Sequence, residues 1–246
     1  MKRFEGKTAV VTGAGGGVGR AAAVMLANEG ARLVITDYAA ENLNVTYGMI
    51  KDLTEAEQVV ADISLEEGSQ KFIDAAVARF GTIDVFMHIA AVYHHGAVFT
   101  NYTARELDQV LNINCRGAFL TLRNALRVMA PAKKGVVVIC ASQSGLFGDA
   151  YISLYSASKH FQVGLAKSIA KEYASQGIRV SCVCPACINT PMIEKELSTM
   201  DPKVICGPMQ RPASPEEIAD VMAYLASDSA SYTNGAIVNV NGGDRI

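Results

Sequence analysis

Tyr155 and Lys159 stand four residues apart in Tyr155-Ser156-Ala157-Ser158-Lys159, so on a helix their side chains share one face. A phenol with a pKa near 10 needs about 4 kcal/mol of preference for its anion before it exchanges protons at neutral pH. An ammonium about 4 Å away supplies roughly that amount at an effective dielectric near 20. The pair reads as a general acid/base with its electrostatic partner. Ser142 lies thirteen residues earlier, at the carboxyl end of an apolar run, where open parallel sheets gather their ligands. Its hydroxyl could hold a substrate oxygen beside the phenol.

A second constellation opens the chain. Thr12-Gly13-Ala14-Gly15-Gly16-Gly17-Val18-Gly19 follows an apolar run and starts a helical one, the setting in which glycines let backbone amides approach a pyrophosphate. Gly13, Gly17, Val18 and Gly19 are therefore candidate dinucleotide contacts. Asp37 ends the next apolar run, 18 residues past Gly19, where a carboxylate can accept from adenosine ribose hydroxyls. A 2′-phosphate there would be repelled by roughly 4 kcal/mol at about 4 Å, and Gly16, Thr36 and Tyr38 offer no cation. NAD is expected rather than NADP. Asp62 ends the third run and could reach the adenine edge while Ile63 packs on the ring.

These groups need a sheet to hold them. Short apolar runs at 8–11, 33–36, 58–61, 85–90, 136–140, 180–184 and 237–240 alternate with helical periods at 18–28, 66–80, 105–129, 155–176 and 215–226. That alternation predicts an α/β fold, a doubly wound, Rossmann-type parallel sheet of seven strands with helices on both faces. Gly30, Gly81 and Gly177 fall where left-handed caps are expected, and Ser214-Pro215-Glu216-Glu217 reads as an N-cap, an N1 proline and an acidic first turn. With 246 residues, half of them hydrophobic, and no repeat or linker, one domain over 1–246 is expected. The proline-bearing stretch 188–211 is expected to be a mobile substrate loop.

A net charge of −2 gives no basic field for nucleic acid, and the glycine-broken start is neither a signal peptide nor a membrane span. A cytoplasmic protein with a small-molecule substrate is expected. Cys182, Cys184 and Cys187 crowd one run but lack a fourth ligand, so inert thiols and no metal are expected. His88 reads as a core histidine, Lys133 and Lys134 as a solvated turn, and His94 and His95 as a loop pair beside the cleft or facing solvent.

Thr12 to Gly19, Ser142, Tyr155 and Lys159, together with Asn114 in Asn112-Ile113-Asn114, resemble the short-chain dehydrogenase/reductase family, and the resemblance covers essentially the whole chain. It implies hydride transfer between NAD and a secondary alcohol or ketone. Ser142 would orient the substrate oxygen, Tyr155 would be the acid/base, Lys159 would bind the nicotinamide ribose and lower the tyrosine pKa, and Asn114 would support a water-linked proton relay. It also implies that Ala90 contacts the ribose and that Pro185, Ile188 and Thr190 hold the nicotinamide. The strand order would be 3-2-1-4-5-6-7, in a homotetramer or homodimer assembled through the helices near Arg105 and Tyr155. Gln143, Ser144, Tyr151, Ala186, Cys187 and Met192, with Ser142, would line the substrate. Two departures stand out: Ile89-Ala90-Ala91 replaces the usual Asn-Ala-Gly, and Pro185-Ala186 replaces Pro-Gly. Two other readings are a 3-oxoacyl-carrier-protein reductase, which Asp37 and the uncharged Gln176 argue against, and a non-catalytic NAD sensor.

Overall fold

The computed structural model describes residues 2–199, 201 and 206–245. The apolar runs become β1 (Thr8–Thr12), β2 (Arg32–Asp37), β3 (Ala56–Val60), β4 (Val85–His88), β5 (Gly135–Cys140), β6 (Ile178–Pro185) and β7 (Ile237–Val240). They pair in parallel as one sheet in the order β3-β2-β1-β4-β5-β6-β7. The winding direction reverses between β1 and β4, which opens a crevice at their carboxyl ends.

Successive strand residues point to opposite faces, and each face carries its own core. Ala9, Val11, Leu33, Ile35 and Met87 pack with Leu26 of α1 (Gly17–Asn28), Leu43 and Ile50 of α2 (Ala40–Ile50), and Ile218 and Met222 of α8 (Pro215–Ala226). Val10, Val34, Phe86 and Val137 meet Phe72 and Ile73 of α3 (Glu66–Phe80), Leu122 and Leu126 of α5 (Ala118–Ala132), and Val163 and Ile169 of α6 (Ser153–Tyr173). Each such side chain contributes about 1.5–3 kcal/mol by burial. Residues that sit so deep in both layers leave the strand ends rigid enough to aim side chains.

The structure corrects several boundaries. α2 has no counterpart in the sequence reading, since Asn42, Asn44, Thr46 and Gly48 are weak helix formers; burial of Leu43, Thr46 and Ile50 along one stripe overrides them. β3 runs Ala56–Val60 rather than 58–61. β4 stops at His88 rather than at position 90, because the Ile89 and Ala90 amides donate to Thr12 Oγ1 at 3.0 and 3.2 Å instead of continuing the ladder. The helix expected over 105–129 begins as α4 (Ala104–Val110), widens into a π segment over Leu111–Gly117 and resumes as α5. α6 starts at Ser153, two residues ahead of Tyr155.

The expected glycine caps all have positive φ, and the Ser214–Glu217 capping box forms. Within 188–211 lie turns over Pro191–Ile193 and Gly207–Met209 and a short α7 (Glu194–Thr199), with Met200 and 202–205 outside the described residues. Among the described residues no helix is long and apolar enough to cross a membrane.

Candidate active site

The loop after β5 and the start of α6 are pressed together. Ser156 Oγ donates to the Ser144 carbonyl at 2.7 Å, and a Cβ on Gly145 would lie 2.7 Å from the Lys159 carbonyl oxygen. This close approach sets Ser142 at the strand end against Tyr155, whose phenol it hydrogen-bonds. Ser142 Oγ also accepts from the Ser144 amide at 3.1 Å and lies 3.5 Å from the Pro185 carbonyl.

Lys159 is almost fully buried, at 2% exposure, so its ammonium needs partners. It finds the Cys140 carbonyl at 3.1 Å and Gln162 Oε1 at 3.0 Å, and it lies 5.5 Å from the Tyr155 ring centroid. Gln162 in turn donates to the Asn114 carbonyl at 3.0 Å. The Asn114 side chain accepts from the Val92 amide and donates to the Val92 carbonyl, both at 2.8 Å, and donates to Ser158 Oγ at 3.0 Å. The four expected catalytic positions thus come together, joined by a residue the sequence reading missed. A glutamine three places past Lys159 carries no signal until the π segment brings Asn114 to it.

The Tyr-Lys spacing predicts a lowered tyrosine pKa, and burial works against it. Burial raises the Tyr155 pKa above its ordinary value, and the Ser142 hydrogen bond opposes this without offsetting it. Lys159 Nζ donates to the Cys140 carbonyl and Gln162 Oε1 and lies 5.5 Å from the Tyr155 ring centroid, so its short hydrogen bonds go to the protein rather than to the phenol. Burial lowers the Lys159 pKa. Tyr93, also missed, packs edge-on against Tyr155 at 5.3 Å between ring centroids.

The glycine turn fits a dinucleotide. Gly16 caps α1 without a side chain, and a Cβ placed on it would meet nothing within 4 Å, so the helix N-terminus has space for a phosphate. Gly13 has φ +68, and a Cβ there would lie 2.8 Å from the Ala90 backbone; a Cβ on Gly19 would lie 2.0 Å from the Gly13 carbonyl oxygen. Thr190 closes over Gly17, while Val18 turns into the core instead. Asp37 accepts from the Gly15 amide at 2.9 Å and the Ala39 amide at 3.0 Å, which holds its carboxylate at the edge of the turn. A nearby cation that the sequence does not flag, Arg20, donates from Nε to Thr46 Oγ1 and from Nη2 to the Gly15 and Asn42 carbonyls. Asp62 is exposed with one oxygen bound by Ser64, and Ile63 is buried against Gly117. At the departure after β4, the Ile89 side chain packs on the core, and Thr12 braces the backbone through the Ile89 and Ala90 amides.

The expected substrate residues divide. Ser144 is buried and donates to Asp149 Oδ2 at 2.6 Å, and Gln143 donates to Asp244 Oδ2 at 2.8 Å, so both are engaged by the protein. Arg245 pairs with Asp149, which brings the chain's end onto the loop after β5. The Tyr151 and Met192 side chains are exposed, and the Tyr151 carbonyl accepts from the Ala97 amide and Tyr102 Oη. Ala186 and Cys187 border a cavity of about 90 Å³ with Cys206 and Met209. Cys187 lies 3.1 Å from Cys206, and burial pushes its thiol up to about 12. A wider cavity of about 510 Å³ opens at the amino ends of the strands, where Lys7 and Lys134 are neutralised by Asp228 and Asp84. It is far from the tyrosine and has no free cation among the described residues that line it to recommend it.

Residues 13–244 match a family model described as enoyl-(acyl carrier protein) reductase. The chain belongs to the short-chain dehydrogenase/reductase family and is an oxidoreductase of the alcohol and ketone type. It is 37% identical to levodione reductase of Leifsonia aquatica, over 98% of this chain and 95% of that protein. The crystal structure of levodione reductase superposes with a TM-score of 0.93, covering 98% of both chains. A cis-4-hydroxycyclohexanecarboxylate dehydrogenase of Sinomonas cyclohexanicum is 36% identical, over 98% of this chain and 97% of its own length. A 3-oxoacyl-(acyl-carrier-protein) reductase of Thermotoga maritima is 31% identical, over 98% of both.

Proposed function

We propose that the protein is an NAD(H)-dependent dehydrogenase of a ring-bearing secondary alcohol, working reversibly on the matching ketone. The observation that carries this reading is buried Ser142 and Lys159 flanking half-buried Tyr155 at the carboxyl end of β5, beside the open N-terminus of α1. Tyr155 exchanges a proton with the substrate oxygen, Ser142 holds that oxygen, and Lys159 supplies positive charge beneath the ring. When bound, the nicotinamide supplies or accepts the hydride. Gly13, Gly17 and Gly19 would cradle its pyrophosphate, Asp37 the adenosine ribose, and Ala90, Pro185, Ile188 and Thr190 the nicotinamide end.

NAD is favoured because Asp37 holds a carboxylate at the turn while Arg20 commits Nε and Nη2 to Thr46 Oγ1 and the Gly15 and Asn42 carbonyls. The ring-alcohol preference rests on the two relatives named for a hydroxycyclohexane carboxylate and for levodione. The Thermotoga relative favours a second reading, reduction of a 3-oxoacyl thioester. A homotetramer or homodimer is supported by exposed Leu107, Leu111, Phe119 and Phe161 along α4, the π segment, α5 and α6. The free state of all six cysteines is compatible with a cytoplasmic setting.

The test is an NADH-absorbance screen over cyclic alcohols, polyols, steroids and a 3-oxoacyl thioester, with NAD and NADP in parallel. Turnover of a cyclic alcohol with NAD is expected. Exclusive use of the thioester would replace the first reading with the second. Tyr155→Phe should lower kcat/KM by about 10²- to 10⁴-fold with NADH binding retained; full activity in that variant would remove Tyr155 from the chemistry.

A further inference from the structure

Glu106 occupies the first turn of α4 and serves its capping box through one oxygen only. Oε2 accepts from the Thr103 amide and from Thr103 Oγ1, both at 2.6 Å. Oε1 is left facing two consecutive histidines, with His94 Nε2 at 3.5 Å and His95 Nε2 at 3.6 Å. Good N–H···O hydrogen bonds are about 2.7–3.2 Å long, so neither contact is one. Bonds of about 2.0–2.2 Å from a tetrahedral cation to nitrogen and oxygen place neighbouring ligands roughly 3.3–3.5 Å apart. The two carboxylate–imidazole separations lie close to that edge, and one ligand atom from each of the three residues falls within 4.8 Å of the others. His94 Nδ1 is buried with no partner among the described residues, so Nε2 is the nitrogen left to do the ring's polar work.

We propose that His94 Nε2, His95 Nε2 and Glu106 Oε1 bind one divalent cation of the zinc class. Two imidazoles and a carboxylate leave a tetrahedral ion one open position, and they disfavour calcium and magnesium, which take oxygen ligands. The His94 and Glu106 side chains are mostly buried, whereas His95 is 65% exposed, so water can fill that position. Hydrogen bonds from Thr103 hold the Glu106 carboxyl below its usual range, so it is an anion at neutral pH. The bound ion would staple the loop after β4 to α4, one residue from the Tyr93 ring that packs on Tyr155. This revises the metal-free expectation, which rests on the cysteines alone; the third ligand of the loop histidine pair lies eleven residues past His95.

The test uses the full chain without a histidine tag. Zinc is titrated calorimetrically, and cobalt(II) is followed by its visible absorption, which intensifies on leaving six-coordinate water. Glu106→Gln keeps a capping-box residue, and His95→Ala removes an exposed ring, so neither threatens the fold. One equivalent of zinc is expected to bind and to raise the Tm of the wild-type chain. Cobalt should gain visible intensity without a thiolate charge-transfer band, and each variant should lose about tenfold or more in affinity. Absence of saturable binding, a thiolate band, or unchanged affinity in both variants would overturn the site.

Discussion

Tyr155 needs help to ionise, and the side chains around it show where help can come from. Its nearest cation, Lys159, is itself desolvated and depends on Cys140 and Gln162 for hydrogen bonds. Gln162 therefore favours the charged form of Lys159. Gln162→Leu removes a charge-assisted bond of about 1.5–3 kcal/mol. The Lys159 pKa falls further in the variant, and the alkaline limb of the kcat profile should move to lower pH. A profile that stays in place while stability drops would reduce Gln162 to packing. At the other constellation, Asp37→Ser removes a repulsion of roughly 4 kcal/mol against a 2′-phosphate. The ratio of kcat/KM for NADP over NAD should rise at least about tenfold in steady-state assays. Ser142, Tyr155, Lys159 and Asp37 could be picked out in the sequence because each has a fixed offset from a strand end or a helical neighbour. Tyr93 could not, because its partner arrives from another element, and Gln162, though on the same helix as Lys159, gains its role only when Asn114 is brought to it.

At the scale of elements, the sequence foretold what regular periods dictate and missed what packing decides. All seven strands were anticipated because each carries a short apolar run, and α2 was not because its own residues argue against a helix. The π segment is hidden as well, since 105–129 reads as one helical run while the backbone takes an extra residue over Leu111–Gly117. That widening places the Asn114 carbonyl over Gln162. The contact between the loop after β5 and α6 is a matter of one absent methyl. A Cβ on Gly145 would meet the Lys159 backbone at 2.7–2.8 Å, and backbone inside a helix cannot step aside. Gly145→Ala should cost about 1–3 kcal/mol in urea unfolding. It should also lower kcat more than it changes cofactor affinity, since it separates Ser142 from Tyr155. Equal losses in both would show that the loop serves the whole crevice alike.

Across the whole molecule, the order of the strands and the closure of the chain's end over the loop after β5 were beyond spacing alone. The strand order came from family resemblance, and the Arg245–Asp149 pair joins residues too distant for any local period to reveal. The two-layer burial has a further consequence at β4. His88 is fully buried between Thr12 and Thr121, its Nδ1 lying 3.5 and 3.1 Å from their hydroxyls, and its Nε2 has no partner among the described residues. Burial, aided by the charge on Lys159, lowers its pKa to about 3. The unfolded chain takes up that proton near pH 6.5, whereas the folded chain does so only near pH 3. Stability from the neutral ring is complete above pH 6.5 and drains as the pH falls toward 3. At about 1.4 kcal/mol per unit the loss reaches up to about 5 kcal/mol. His88→Met keeps an apolar side chain of similar bulk and titrates nowhere in this range. Urea unfolding at about pH 7, about pH 5.5 and about pH 4 should show a shallower acid loss in the variant. Parallel pH slopes for the two proteins would mean that the ring is protonated in the fold, and that the sheet tolerates a charge at its centre.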